Sequence, residues 1–207
     1  MAKSDEAILS TVTHKVRLLS FPQIVRTWWP HVRTPSSPRS AITGLVRGGW
    51  LTQIAVKAHP ELPLTEPVLA WRPRDPTPNF SALAHHVRKR FGDAVEQTTV
   101  YLATPLAART LGGFAGKLKR DSVTHDIHLG GLYVRLLRNN PEEASLWISE
   151  DELAPEREDQ VLPDAILRKP DGTLLRVVEF CGSSYTADRL SHIHFDCLAR
   201  DVPYEFW

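Results

Sequence analysis

A stretch near the carboxyl end, residues 162–182, constrains the fold more than any other part of this 207-residue chain. Two apolar runs, residues 162–167 and 174–182, flank a Lys-Pro-Asp-Gly turn. Proline and glycine beside aspartate are typical of a tight turn, so the runs are predicted to pair as an antiparallel hairpin. Asp164 lies at the start of the first run and Glu179 near the end of the second, and pairing would bring their carboxylates together. Two such acids can bind a divalent metal ion through oxygen, or they can be unrelated surface acids.

Composition limits the class of protein. Apolar residues make up 42% of the chain, which is enough for one ample core or two small ones. No run approaches the roughly 18 apolar residues of a membrane span, and no signal peptide is evident at the amino end. The two cysteines lack metal-like spacing, which is typical of proteins in a reducing cytosol. A cytoplasmic protein without membrane association is therefore expected.

Charge is distributed unevenly along the chain. Residues 1–75 hold 10 Lys and Arg against 5 Asp and Glu, residues 76–141 hold 9 against 4, and residues 142–207 hold 6 against 15. A basic front and an acidic back favour a polyanion as the partner of the front. The alternative is that the basic front and the acidic back simply expose charged side chains to solvent and bind no polyanion.

Three short helices are predicted at the amino end. Apolar spacing indicates the first helix over residues 5–19. Ser20 is predicted to cap the second helix, which has a proline in its first turn and ends before Pro30. The third helix is predicted to begin at Ser36-Ser37-Pro38 and to end at Gly48.

A β-hairpin is predicted after these helices, with strands at residues 50–56 and 68–71 and a proline-bearing loop between them. Three helices and then a hairpin is the order of a winged helix-turn-helix domain, here residues 1–75, whose third helix enters the major groove. Winged helices also serve as protein-interaction modules, which is the alternative. The candidate DNA contacts, on the outer face of the third helix and in the loop, are Arg39, Ser40, Thr43, Arg47 and Lys57.

The rest of the chain is predicted to alternate between helices and strands. Residues 76–95 are predicted to form a linker and an amphipathic helix. The predicted elements that follow are a strand at 99–103, a helix at 105–111, a helix at 124–139, a strand at 145–148, the hairpin, a helix at 185–200 and a strand at 202–207.

The order over residues 124–207 resembles the core of the PD-(D/E)XK nucleases, which is helix, strand, Pro-Asp strand, strand with glutamate, helix and strand. A winged helix before such a core resembles the replication-relaxation proteins of plasmids and other mobile elements. The resemblance implies a mixed α/β protein with a nuclease-like domain over residues 96–207 and double-stranded DNA as its partner. A homodimer and a protein partner from a replication or transposition complex are further expectations.

If the roles in the nuclease family hold, Asp164 and Glu179 bind Mg²⁺ or Mn²⁺ and activate water for attack on a phosphodiester, with Glu150 as a third ligand. This sequence departs from the family at two positions. The lysine expected two residues after the glutamate is Cys181, which supplies no permanent cation. The acid expected on the first helix is also not evident.

These departures favour a DNA-binding protein without a metal cofactor, whose nuclease-like domain serves binding or dimerisation. A metal-dependent DNA endonuclease and a protein-interaction scaffold are the alternatives. The structural alternative for Glu179 is an ion pair with Arg176 or Arg189.

Overall fold

The chain has a mixed α/β fold with two β-sheets. A computed structural model describes residues 2–32, 34, 36–92, 94–156 and 161–207, and none of its helices in these ranges is long and apolar enough to cross a membrane. The described helices are α1 (Lys3–Ser10), α2 (Phe21–Trp28), α3 (Ser36–Arg47), α4 (Phe80–Lys89), α5 (Pro105–Leu111), α6 (Val123–Asn139), α7 (Pro141–Ser145), α8 (Glu150–Leu153) and α9 (Ala187–Ala199). The described strands are β1 (Leu19–Ser20), β2 (Leu51–Ala58), β3 (Leu69–Trp71), β4 (Glu96–Ala103), β5 (Trp147–Ser149), β6 (Ala165–Arg168), β7 (Leu174–Glu179) and β8 (Tyr204–Phe206).

The chain forms two compact units, and each is built from two separate segments. The first unit contains Met1–Glu61 and Val95–Pro141, and the second contains Leu62–Ala94 and Glu142–Trp207. These boundaries differ from the predicted ones at residues 75 and 95. The chain leaves the first unit after β2, contributes a segment to the second, and returns to the first at β4.

The sheet of the first unit has the order β1-β4-β2, and both neighbouring pairs are antiparallel. Strands β2 and β4 pair along their full eight residues, from Leu51 opposite Ala103 to Ala58 opposite Glu96. The predicted hairpin between β2 and residues 68–71 is therefore wrong. Strand β3 pairs instead with β8 in the sheet of the second unit. Trp71 of β3 is buried there, with 2% of its surface exposed.

The predicted helix boundaries of the first unit are confirmed for α2 and α3. Ser20 forms a reciprocal capping box with Gln23 at the start of α2, and α3 ends directly before Gly48. The first predicted helix is shorter than expected, because α1 gives way to a π-helical turn over Thr11–Lys15. In this turn the Thr13 hydroxyl donates a hydrogen bond to the Leu9 carbonyl at 2.8 Å, and such back-bonding competes with regular helix geometry.

Helix α6 packs within the first unit, although it was predicted to open the nuclease-like core. The buried Gln23 side chain donates a hydrogen bond from Nε2 to the Ile127 carbonyl of α6 at 2.7 Å. Gly130 allows the backbones to approach closely, because a Cβ atom there would lie 2.8 Å from the Leu18 carbonyl oxygen. These contacts join α6 to the β1–α2 segment.

The second unit contains a five-stranded sheet with the order β3-β8-β7-β6-β5. The predicted hairpin is confirmed, because β6 and β7 are antiparallel neighbours joined by a turn in which the Gly172 amide donates to the Lys169 carbonyl. Strand β5 is antiparallel to β6, and β8 returns through α9 to lie parallel to β7. Helix α4 packs against α9. The long helix that precedes the three antiparallel strands in this unit is α4, and the short helix α7 lies directly before β5.

Candidate functional site

Helix α3 presents the predicted DNA-contacting side chains to solvent. Arg39, Ser40, Thr43 and Arg47 are all exposed, while its opposite face is buried, with Ile42 1% and Leu45 5% exposed. The four exposed side chains form a stripe along α3 because residues three and four apart share one side of a helix. No Asp or Glu occurs between Ser36 and Arg47, so the exposed face is purely cationic and polar.

Arg39 is held by a neighbouring aromatic ring. Its guanidinium carbon lies 4.6 Å from the centre of the Phe21 ring at the start of α2, which is within cation–π range. This stacking limits the conformations of the guanidinium while the side chain remains exposed. Lys57, the remaining predicted contact, is exposed near the end of β2 opposite Gln97.

The two units carry opposite net charges. The first unit holds 14 Lys and Arg against 6 Asp and Glu, for a formal charge of +8, and the second holds 11 against 18, for −7. The prediction from sequence had placed α4 in a linker between the two domains, whereas α4 belongs to the acidic second unit. The division into folded units assigns the cationic α3 face to the basic unit.

The second candidate site is the predicted pair of acids, which lies on the hairpin of β6 and β7. The Asp164 amide donates to Glu179 Oε2 at 3.1 Å, and the Phe180 amide donates to Asp164 Oδ2 at 2.7 Å. The pairing of Ala165 with Val178 places the two acids at facing positions. Each carboxylate thus accepts a hydrogen bond from the backbone of the neighbouring strand.

The buried Tyr185 and the exposed Arg189 complete this network. The Tyr185 hydroxyl donates to Glu179 Oε1 at 2.6 Å, and Arg189 Nη2 donates to the Tyr185 oxygen at 2.8 Å. Arg189 Nη2 also lies 3.6 Å from Glu179 Oε1. Of the two predicted ion-pair partners of Glu179, Arg189 therefore occupies that position, and Arg176 pairs instead with Glu143 and Glu205. Tyr185 was predicted only as the first residue of the last long helix and not as a member of this site; it lies two residues before α9.

Burial changes the protonation of the acid pair. Glu179 is 2% and Asp164 8% exposed. Removal from water and, to a smaller extent, the charge of Asp164 raise the pKa of Glu179 to about 8, against the opposing effect of the hydrogen bond from Tyr185. Burial and the nearby acids also raise the pKa of Tyr185. Glu179 is therefore mostly neutral at pH 7.

Cys181 occupies the position where the nuclease family has lysine. Its side chain is fully buried, and burial together with the charges of Glu179 and Asp164 raises the pKa of the thiol. Arg90, just after α4, approaches this region, with its guanidinium carbon 5.8 Å from the centre of the Phe180 ring. Burial lowers the pKa of Arg90, and its Nη2 atom has no hydrogen-bond partner among the described residues.

The acid pair does not fit the divalent metal ion that the nuclease resemblance implies. Both oxygens of Glu179 and one of Asp164 already accept internal hydrogen bonds, and both side chains are buried. The Glu150 amide donates to the Asp164 carbonyl at 2.9 Å. This backbone contact brings Glu150 near the pair, but the described residues contain no group of three or more His, Cys, Asp or Glu side chains that could hold a metal. The structure thus brings Asp164 and Glu179 together without forming the predicted three-ligand set.

Comparisons with protein-family models, with curated proteins and with solved structures found no match to this chain.

Proposed function

We propose that the chain is a double-stranded DNA-binding protein that places α3 in the major groove, with its second unit used for binding or assembly. The arrangement of the first unit supports a winged helix-turn-helix. Its elements follow the order α1, β1, α2, α3, β2, β4, and its antiparallel sheet has the order β1-β4-β2. Helix α3 is then the third helix, which is the element that enters the groove in such domains.

One observation carries the proposal, namely the exposed cationic face of α3 in a unit with a formal charge of +8. Arginine reads guanine edges and also binds phosphates, while short hydroxyl side chains suit close contacts with the backbone or the bases. A basic domain attracts the polyanion over a long range, and the α3 side chains then make the short-range contacts.

The second unit supports a nuclease-like core that is no longer catalytic. Its longer helices and its last four strands follow the order α4, β5, β6, β7, α9 and β8, with β7 and β8 parallel, which is similar to the order of the PD-(D/E)XK resemblance. The unit also contains β3 before α4 and the short helices α7 and α8 on either side of β5. The buried and internally bonded acids argue against hydrolysis.

We propose replication, mobilisation or transcription control of a mobile element as the process, with the protein acting as a homodimer.

The double variant Arg39→Ala/Arg47→Ala tests DNA binding. Loss of two groove contacts at about 1–3 kcal/mol each is expected to weaken affinity for a fluorescein-labelled, mixed-sequence duplex by about 100-fold. Fluorescence anisotropy across a range of salt concentrations measures the change. Wild-type affinity should fall steeply as salt rises, because phosphate contacts release counterions.

The matched control is Arg168→Ala/Arg200→Ala, which removes the same charge from the second unit. These arginines form surface pairs with Glu156 and Asp196, and such pairs contribute little to stability. Absence of salt-dependent binding by the wild-type protein, or an equal loss in both double variants, would show that α3 is not the DNA-contacting element.

Metal-dependent cleavage is tested separately. Supercoiled plasmid incubated with the wild-type protein and Mg²⁺ or Mn²⁺ is expected to stay intact, because the acid pair is buried and its oxygens are already hydrogen-bonded. The control is Asp164→Ala/Glu179→Ala, and agarose gels measure nicking. Cutting that requires metal and disappears in this control would establish the endonuclease alternative.

A further inference from the structure

We infer that α4 provides a second DNA-contacting surface, on the acidic unit, that binds the phosphate backbone of the duplex. The α4 cationic face is defined as His85, His86, Arg88 and Lys89. The inference rests on the proposed DNA-binding function and extends it to the second unit.

The α4 cationic face is created by the amphipathic sequence of the helix. Ala84 and Val87 are 4% and 0% exposed in the core of the second unit. All four residues of the α4 cationic face are exposed. His85, Arg88 and Lys89 are three and four residues apart and therefore adjacent on the helix surface. Helix α4 contains no Asp or Glu.

The α4 cationic face differs from three arginines of the same unit that pair with carboxylates. These are Arg168 with Glu156, Arg176 with Glu143 and Glu205, and Arg200 with Asp196. By contrast, the side chains of the α4 cationic face make no ion pair or hydrogen bond with any residue in the described ranges. A unit with a formal charge of −7 thus has one cationic helix face that the described acids of the unit do not pair with.

The chemistry of the α4 cationic face fits phosphate oxygens. An arginine and a lysine supply permanent positive charge, and the two imidazoles supply N–H donors. Base readout needs side chains that project into a groove, whereas an exposed row on a helix flank can follow a phosphate backbone. Contacts of this kind position the protein without distinguishing between sequences.

The test is the double variant Arg88→Ala/Lys89→Ala, measured by fluorescence anisotropy on the fluorescein-labelled, mixed-sequence duplex. Removal of two phosphate contacts is expected to reduce the slope of log affinity against log salt by about 2 and to weaken binding at low salt by at least about 10-fold. The loss should be equal for duplexes of different sequence. Arg168→Ala/Arg200→Ala again removes the same charge from the same unit and should leave the slope near that of the wild type.

Thermal unfolding distinguishes binding from helix stabilisation, because positive side chains in the last turn also complement the helix dipole. The variant is expected to keep the wild-type melting temperature. An unchanged slope and affinity, with or without a lower melting temperature, would overturn the inference. If the wild type and the α4 variant bind the duplex equally while Arg39→Ala/Arg47→Ala binds weakly, the inference fails and the proposed function stands. If the wild type does not bind, both fail.

Discussion

Glu179→Gln is expected to be far less sensitive to pH than the wild-type protein. In the wild type the free energy of unfolding is expected to fall steeply between pH 5 and pH 8, and the variant should lose most of this fall. The carboxyl is 2% exposed, and its pKa is raised from 4.5 to about 8 in the folded chain by burial and by the charge of Asp164. Glutamine cannot ionise, so the variant avoids the cost of a buried negative charge. Urea unfolding at several pH values measures the difference.

The sign follows from proton linkage. Below about pH 4.5 the Glu179 carboxyl is protonated in both the folded and the unfolded chain. As pH rises towards 8, the unfolded chain releases this proton and the folded chain retains it, so the free energy of unfolding falls. Each unit of pKa difference corresponds to about 1.4 kcal/mol, which sets an upper bound on the order of 5 kcal/mol for the loss.

Asp164→Asn is the companion variant. Asparagine can still accept the hydrogen bond from the Phe180 amide through its side-chain oxygen, but it removes the charge that raises the pKa of Glu179. The alkaline loss of stability is therefore expected to shrink, though less than in Glu179→Gln. Identical pH dependence in the wild type and in Glu179→Gln would mean that the Glu179 carboxyl is ionised when folded, and the metal-binding alternative would then regain its chemical basis.

Local signals made the hairpin and the α3 face predictable. The Pro-Asp-Gly turn predicts that β6 and β7 pair and that Asp164 and Glu179 lie at the same end of the hairpin. Their facing positions also depend on a register shift between Leu167 and Arg168, which the turn does not reveal. The cationic stripe of α3 depends only on helical periodicity and on the bounding serine and glycine. In both cases the decisive contacts lie within about 20 residues along the chain.

Long-range pairing was not predictable by the same means. Strand β2 finds its partner β4 beyond an intervening segment that contains β3 and α4. A short apolar run such as Leu69–Trp71 carries no information about which of two sheets it joins. The assignment of α6 to the first unit depends on the close approach at Gly130 and on the Gln23 hydrogen bond, which sequence spacing does not reveal.

Burial also explains why the acid pair was easier to locate than to interpret. Sequence placed two carboxylates side by side, a geometry shared by metal sites and by structural pairs. Their function depends on the groups around them, and Tyr185 and the backbone amides of Asp164 and Phe180 already satisfy three of the four oxygens. With a buried thiol in place of the expected lysine, the pair acts as a crosslink between β6, β7 and the segment before α9.

Phe180→Ala is expected to destabilise the second unit by about 3–5 kcal/mol, as is typical for removal of a buried aromatic ring. The Phe180 side chain is 0% exposed. Its ring lies edge-on to Phe91 with centroids 6.2 Å apart, and the Arg90 guanidinium lies over it. The hydrogen bond to Asp164 is donated by the Phe180 backbone amide, which the substitution retains. The lower free energy of unfolding therefore reports the packing of the ring. Denaturant unfolding, with hydrogen exchange of the β6 and β7 amides as the local readout, measures it.

Phe195→Ala is the matched control for Phe180→Ala. Phe195 lies on α9 in the same unit, and its side chain is 54% exposed, so the same deletion there is expected to cost less than about 1 kcal/mol. If Phe180→Ala and Phe195→Ala lower the free energy of unfolding by similar amounts, that result would contradict the placement of the Phe180 ring inside the core. The backbone amide of Phe180 donates a hydrogen bond to Asp164, so the packing of this residue also holds the backbone beside the acid pair. Hydrogen exchange in Phe180→Ala should therefore accelerate first at the β6–β7 amides beside the acid pair.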